Sequence, residues 1–199
     1  MSQTTAKERL IDAAERLVAE CGLSSMTLSR VQEEAGQANR SAARYHFGSR
    51  EGLIAGVVES RMKDVDNERR IMLKNMDIDG TGSDSRALVR ALVMPLVDNT
   101  IRNPQSRYAR FIAQVMLDPG LTEITRGHSR AGSFREVCAR LVAVSHLPKP
   151  TVEWRVDGVV ALTFVTLAAS EARGSDPDII GAELVDACLA LMEVTGAEQ

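Results

Sequence analysis

Between positions 40 and 50 three arginines, a tyrosine and a histidine crowd into one short run, Arg40-Ser41-Ala42-Ala43-Arg44-Tyr45-His46-Phe47-Gly48-Ser49-Arg50. Guanidinium groups pair with phosphate oxygens or with guanine, and the amides of Gln37 and Asn39, just ahead of the run, suit adenine. Small residues such as Ser41 and Ala42 would let a helix backbone lie deep in a DNA groove. Gln37, Asn39 and Arg40 are placed to read bases, and Arg44, Tyr45 and His46 to meet phosphates. Thr27, with free amides at a helix start, offers another phosphate site, and Arg50 a clamp on the far strand. Each group alone has a plainer reading: His46 as a surface histidine, the arginines as a solvated face, Tyr45 or Phe47 as a core aromatic. Their order relative to caps and turns favours nucleic acid.

The elements that would position these groups are legible. Thr5 and Glu8 form a capping box opening a first helix, with Leu10, Ala14, Leu17, Val18 and Cys21 on one face and Gly22 as its stop. Thr27 caps a second helix, with Met26 and Val31 stapled across the cap, and Gly36 ends it. Asn39 is expected to cap a third helix of roughly seven residues ending near Gly48. Ser49 opens a fourth, expected to reach Met76. Helix, turn and helix in this arrangement are the plan of a major-groove reader.

With those residues in view, positions 5–53 resemble the N-terminal domain of the TetR family of bacterial transcription regulators. The resemblance rests on LIDAAERLVAECG at 10–22, the Thr27 start, Ala35-Gly36 and YHFGSREGL at 45–53. It departs from the family pattern in a turn at 37–40 that is one residue long, in Ala43 and Arg44 before Tyr45, in Gln32, and in Arg50 where Lys is usual. The resemblance implies an all-α protein of about nine helices, with a helix-turn-helix domain at 1–55 and an effector-binding and dimerisation domain at 56–199. It also implies repression of a partly palindromic operator, relieved when a small effector shifts the fourth helix.

Composition sets limits. The net charge is −3, and residues 1–61 balance eight Lys/Arg against eight Asp/Glu, so a local patch rather than a global field must attract DNA. No run of about 18 apolar residues suggests a membrane span. The first residues lack a secretory core, and a cytoplasmic protein is expected. Cys21, Cys138 and Cys188 are scattered and odd in number, with neither disulfide nor zinc spacing, so no metal or cofactor is expected. No phosphate loop, HExxH or nucleophile elbow argues for an enzyme. The alternative function is a helical protein-interaction module that does not bind DNA.

Further on, residues 77–85 read as a polar linker. Helix starts are expected at Asn103-Pro104, Asp118-Pro119, Thr151 and Asp176-Pro177, and a kink at Pro95. Residues 152–170 and 179–194 are apolar nearly all round, which predicts burial on both sides and a homodimer through these last two helices. Met94, Phe111, Val115, Met116, Phe134, Cys138, Trp154 and Phe164 are the candidate liners of an effector pocket, suited to a hydrophobic or flat molecule. Arg107, Arg110 and His128 are the candidates to orient an acidic group.

Overall fold

The computed structural model describes residues 5–37, 39, 41–124 and 132–193, and no strand occurs among them. The helices are α1 (Ala6–Cys21), α2 (Leu28–Glu34), α3 (Ala42–Phe47), α4 (Arg50–Asp79), α5 (Ser85–Asn99), α6 (Tyr108–Leu117), α7 (Gly132–Val144), α8 (Lys149–Arg173) and α9 (Pro177–Glu193). Short 3-10 turns follow α1 (Leu23–Ser25) and α6 (Pro119–Leu121).

The N-terminal head forms as its caps predict. Thr5 Oγ1 accepts from Glu8 N at 3.1 Å, while the Glu8 carboxylate accepts from Thr5 N at 2.6 Å. Gly22, at φ 86°, closes α1 by donating to Val18 O. Leu10, Ala14 and Val18 of α1 join Val31 of α2, Ala43 of α3, and Leu53, Ile54 and Val57 of α4 in one fully buried core.

α4 is longer than its sequence suggests. It runs unbroken through position 55, where the domain boundary was expected, and past Met76 to Asp79. Arg140 of α7 grips Asp77 with two hydrogen bonds, 2.6 and 2.9 Å, which holds the last polar turn in helical form. The expected linker therefore shrinks to 80–84, between the left-handed Gly80 (φ 72°) and the Asp84 cap of α5.

Pro95 lies within α5 without ending it. Proline cannot donate to the carbonyl four residues back, here Ala91 O. Arg69 of α4 supplies the missing donor: its Nε reaches Ala91 O at 2.9 Å, while its Nη2 also reaches Leu92 O at 3.2 Å. This arginine is 2% exposed. Two expected helix starts shift. Asn103-Pro104 forms a turn, with Asn103 Oδ1 accepting from Gln105 N at 3.1 Å, so α6 begins only at Tyr108. α8 begins at Lys149 rather than Thr151. Asp118 and Asp176 cap as expected, ahead of Pro119 and Pro177. α8 packs on α6 and on α9, and α9 packs on α5.

Candidate nucleic-acid interface and internal cavity

The helix-turn-helix is fixed from within. Thr27 Oγ1 accepts from Arg30 N at 3.2 Å, capping α2. Gln32, buried on the inner side of α2, reaches across the turn and accepts from Ala43 N at 2.9 Å. That bond satisfies an otherwise unpaired amide in the first turn of α3 and sets the distance between the two helices. Asn39 Oδ1 accepts from Ser41 N at 2.9 Å, forming a turn before the helix rather than capping it directly. α3 consequently starts at Ala42 and has six residues. Phe47 is the aromatic plug. A Cβ on Gly56 would lie 2.7 Å from its ring and one on Gly52 would lie 2.1 Å from its carbonyl oxygen, so both glycines permit α4 to pack close against it.

The candidate DNA contacts separate accordingly. Asn39, Ser41, Arg44, Tyr45 and His46 are exposed together, with Tyr45 84% exposed and its ring edge-on to His46 at 5.2 Å. Gln37 is half-buried, and its Nε2 has no hydrogen-bond partner among the described residues. Arg40 lies outside the described residues. Ala42 corrects the expectation that it faces a groove: with Ala43 it is buried, and the two small side chains bring α3 close to the rest of the head. Arg50 also departs from its expected role. Its Nε donates to Met26 O at 3.0 Å and its Nη2 to Leu23 O at 2.8 Å, so it ties α4 to the segment ahead of α2 instead of reaching for a phosphate.

Behind the head lies a cavity of about 500 Å³ between α4, α5, α6, α7 and α8. Of the expected liners, Met116, Phe134 and Phe164 stand on its wall. Phe111 and Val115 do not, because they are fully buried on other faces of α6. Met94 packs toward Gly181 of α9, and Trp154 is 72% exposed on the outside of α8. Cys138 is also off the wall, and burial pushes its thiol up to about 12. Val58, Met62, Leu92, Leu96, Ile112 and Val159 complete most of the apolar surface.

Arg69 is on this wall, and sequence reasoning missed it. Two signals point to it. It interrupts the apolar stripe Val65, Leu73, Met76 on α4, and Pro95 leaves a carbonyl in need of a donor. Phe134 covers the guanidinium, with its ring centroid 5.9 Å from the central carbon. Burial lowers Arg69 to about 10. The residues expected to meet an acidic group lie elsewhere. Arg107 bonds the carbonyls of Pro104 and Ser106, Arg110 pairs with Glu171, and His128 is outside the described residues.

α6 stands between cavity and head. Tyr108, Ile112 and Met116, four residues apart, face the cavity. Gln114, on another side of the helix, donates to Val18 O at 2.9 Å and accepts from Leu23 N at 2.9 Å. At the start of α6 the Arg107 amide donates to Glu15 of α1, whose buried carboxylate also holds Arg61 of α4. Burial opposes the charge on Arg61, but Glu15 and Asp12 outweigh it and raise its pKa.

This geometry defines an α-helical regulator with a helix-turn-helix head, an exposed recognition helix and an internal cavity. Residues 10–57 match the bacterial regulatory proteins of the tetR family, so the head is similar to that family's DNA-binding domain. Solved structures share the fold over nearly the whole chain. A transcriptional regulator from Rhodococcus sp. Rha1 is 20% identical, with TM-score 0.60, covering 96% of this chain and 100% of its own. The TetR-family regulator PfmR from Thermus thermophilus is 14% identical, with TM-score 0.58, over 98% and 100%. Thermus thermophilus FadR, a TetR-family repressor solved with lauroyl-CoA, is 17% identical, with TM-score 0.54, over 97% and 98%. No curated protein matches the sequence. No described helix is long and apolar enough to cross a membrane.

Proposed function

We propose that this DNA-binding regulator is a homodimeric repressor that leaves its operator when a small molecule occupies the cavity. The observation that carries this reading is the double contact of α4 and α6. α4 lines the cavity with Val58, Met62 and Arg69, and its first turns pack on Phe47 at the end of the recognition helix. α6 lines it with Ile112 and Met116 and holds α1 through Gln114. A ligand that prefers one placement of these helices over another shifts the population of head positions, by tenfold for each ~1.4 kcal/mol of differential binding. FadR, with its lauroyl-CoA, is a repressor of this fold that accommodates a small molecule.

The dimer reading rests on the outer faces of the last two helices. Trp154, Leu162 and Val165 of α8 and Ile179 of α9 are large apolar side chains exposed in the single chain. Covering them with a second copy removes an apolar patch from water and places two heads at a fixed distance. Footprinting on DNA upstream of the protein's own gene is the test. The expected result is a symmetric pair of protected half-sites, about 34–36 Å or a multiple apart. A single asymmetric half-site, or no protection, contradicts the proposal.

A further inference from the structure

The charged residues lining the cavity differ in burial. Glu59, Lys63, Arg70 and Asp157 are exposed, and Asp66 is committed to Arg70 and Ser133. Arg69 alone among the described lining residues combines a permanent charge with full burial. It has no salt bridge among the described residues; its hydrogen-bond partners are two neutral carbonyls. Those carbonyls take Nε and Nη2, which leaves Nη1 without a hydrogen-bond partner among the described residues. The surrounding wall is apolar: Leu92, Leu96, Ile112, Met116, Phe134 and Phe164. A buried guanidinium with a spare donor beside such a wall fits an anionic headgroup with an apolar body.

We infer that the cavity takes an apolar monocarboxylate, whose acid group hydrogen-bonds Nη1 of Arg69 while its hydrocarbon lies against α5, α6 and α8. The inference rests on the cavity being the effector site and adds the chemical class of the effector. A single charge is favoured because one buried guanidinium is available and Asp66, the ionised group acting on it, is itself negative. Carbonyl contacts hold the guanidinium in place before any ligand arrives, so little side-chain freedom is lost on binding. Straight-chain and aromatic acids share the same chemistry at Arg69 and differ only in the body laid against the wall.

Matched probes test this on the full chain by calorimetry: octanoate against 1-octanol, and 2-naphthoate against 2-naphthol. The expected result is that at least one carboxylate binds tighter than its alcohol by about tenfold or more, and the tighter pair distinguishes a straight-chain from an aromatic body. In Arg69→Met that ratio falls to about one. Should Arg69→Met fail to fold, side-chain signals of the unmodified chain labelled with ¹⁵N-arginine give the same answer. The Arg69 resonance shifts with the carboxylate and stays in place with the alcohol. Equal binding of acid and alcohol, or an acid preference that survives in Arg69→Met, overturns the inference and leaves the effector reading standing. Binding of no probe at all overturns both.

Discussion

Arg44 and Arg50 are six positions apart and chemically identical, yet the fold gives them different work. Arg44 is exposed on α3 beside Tyr45 and His46. Arg50 is drawn under the head by the carbonyls of Leu23 and Met26. Arg50→Ala should therefore cost stability, on the order of 1–3 kcal/mol for the missing charged hydrogen bonds. It should leave the salt dependence of DNA binding unchanged. Urea unfolding and DNA titrations at several salt concentrations check this together. An unchanged midpoint with a shallower salt slope would restore the clamp role read from sequence. Gln32 behaves in the same way: a polar residue out of pattern in the sequence is the buried brace of the turn, through its bond to Ala43. Residue types and spacing pointed to a candidate site, but which face each side chain takes depends on acceptors brought in from other segments.

At the scale of helices, α5 and α4 form a coupled pair. Pro95 removes one donor from α5 and Arg69 of α4 replaces it. Pro95→Ala restores an amide that competes for Ala91 O, so Arg69→Met should be less damaging in the Pro95→Ala background. The double-mutant cycle should show a coupling of about 1 kcal/mol or more in urea unfolding. Additive effects would mean that the guanidinium does not stand in for the missing amide. A second coupling joins α4 to α7. Asp66 Oδ1 accepts from Ser133 N at 2.9 Å and Ser133 Oγ at 2.5 Å, and the Cβ-free Gly132 (φ 64°) leaves room for it. Burial raises the Asp66 carboxyl, but Ser133 and the Arg70 guanidinium outweigh this and hold it below its ordinary 3.8. A depressed carboxylate stabilises above its unfolded value and loses that contribution as pH falls through the folded one. The melting-temperature gap between the unmodified protein and Asp66→Asn should be full at neutral pH and close as pH drops below 3.8. A gap that is constant or wider in acid contradicts the assignment. The helices themselves were largely legible, because caps such as Thr5, Thr27, Ser49 and Asp176 are local. Their ends were less so. Asp77 is helical because of Arg140, and Asn103-Pro104 turns because its own side chain and that of Ser106 take the next amides. Such partners lie outside the window in which periodicity is read.

Across the whole molecule, the proposed function makes the head, the cavity and the outer faces of α8 and α9 three parts of one device. α4 and α6 join the first two, since each borders the cavity on one side and packs on α1 of the head on another. The all-α plan and the N-terminal head were legible because the head's motif is compact in sequence. The cavity was legible only in part. Met116, Phe134 and Phe164 reach it, whereas Trp154 turns outward and Arg69 enters from a helix assigned to linkage rather than sensing. Apolar character identifies residues that avoid water, and it does not say whether they border a core, a cavity or a second subunit. The central claim is that α3 docks on DNA with Arg44 against the backbone. Its most direct test is the affinity for an operator fragment, measured across a range of salt concentrations for the unmodified protein and Arg44→Ala. Binding should weaken steeply with salt, and the log–log slope should become shallower by about 0.9 for each phosphate that the variant no longer neutralises. Affinity that is insensitive to salt, or a slope unchanged by Arg44→Ala, would contradict it.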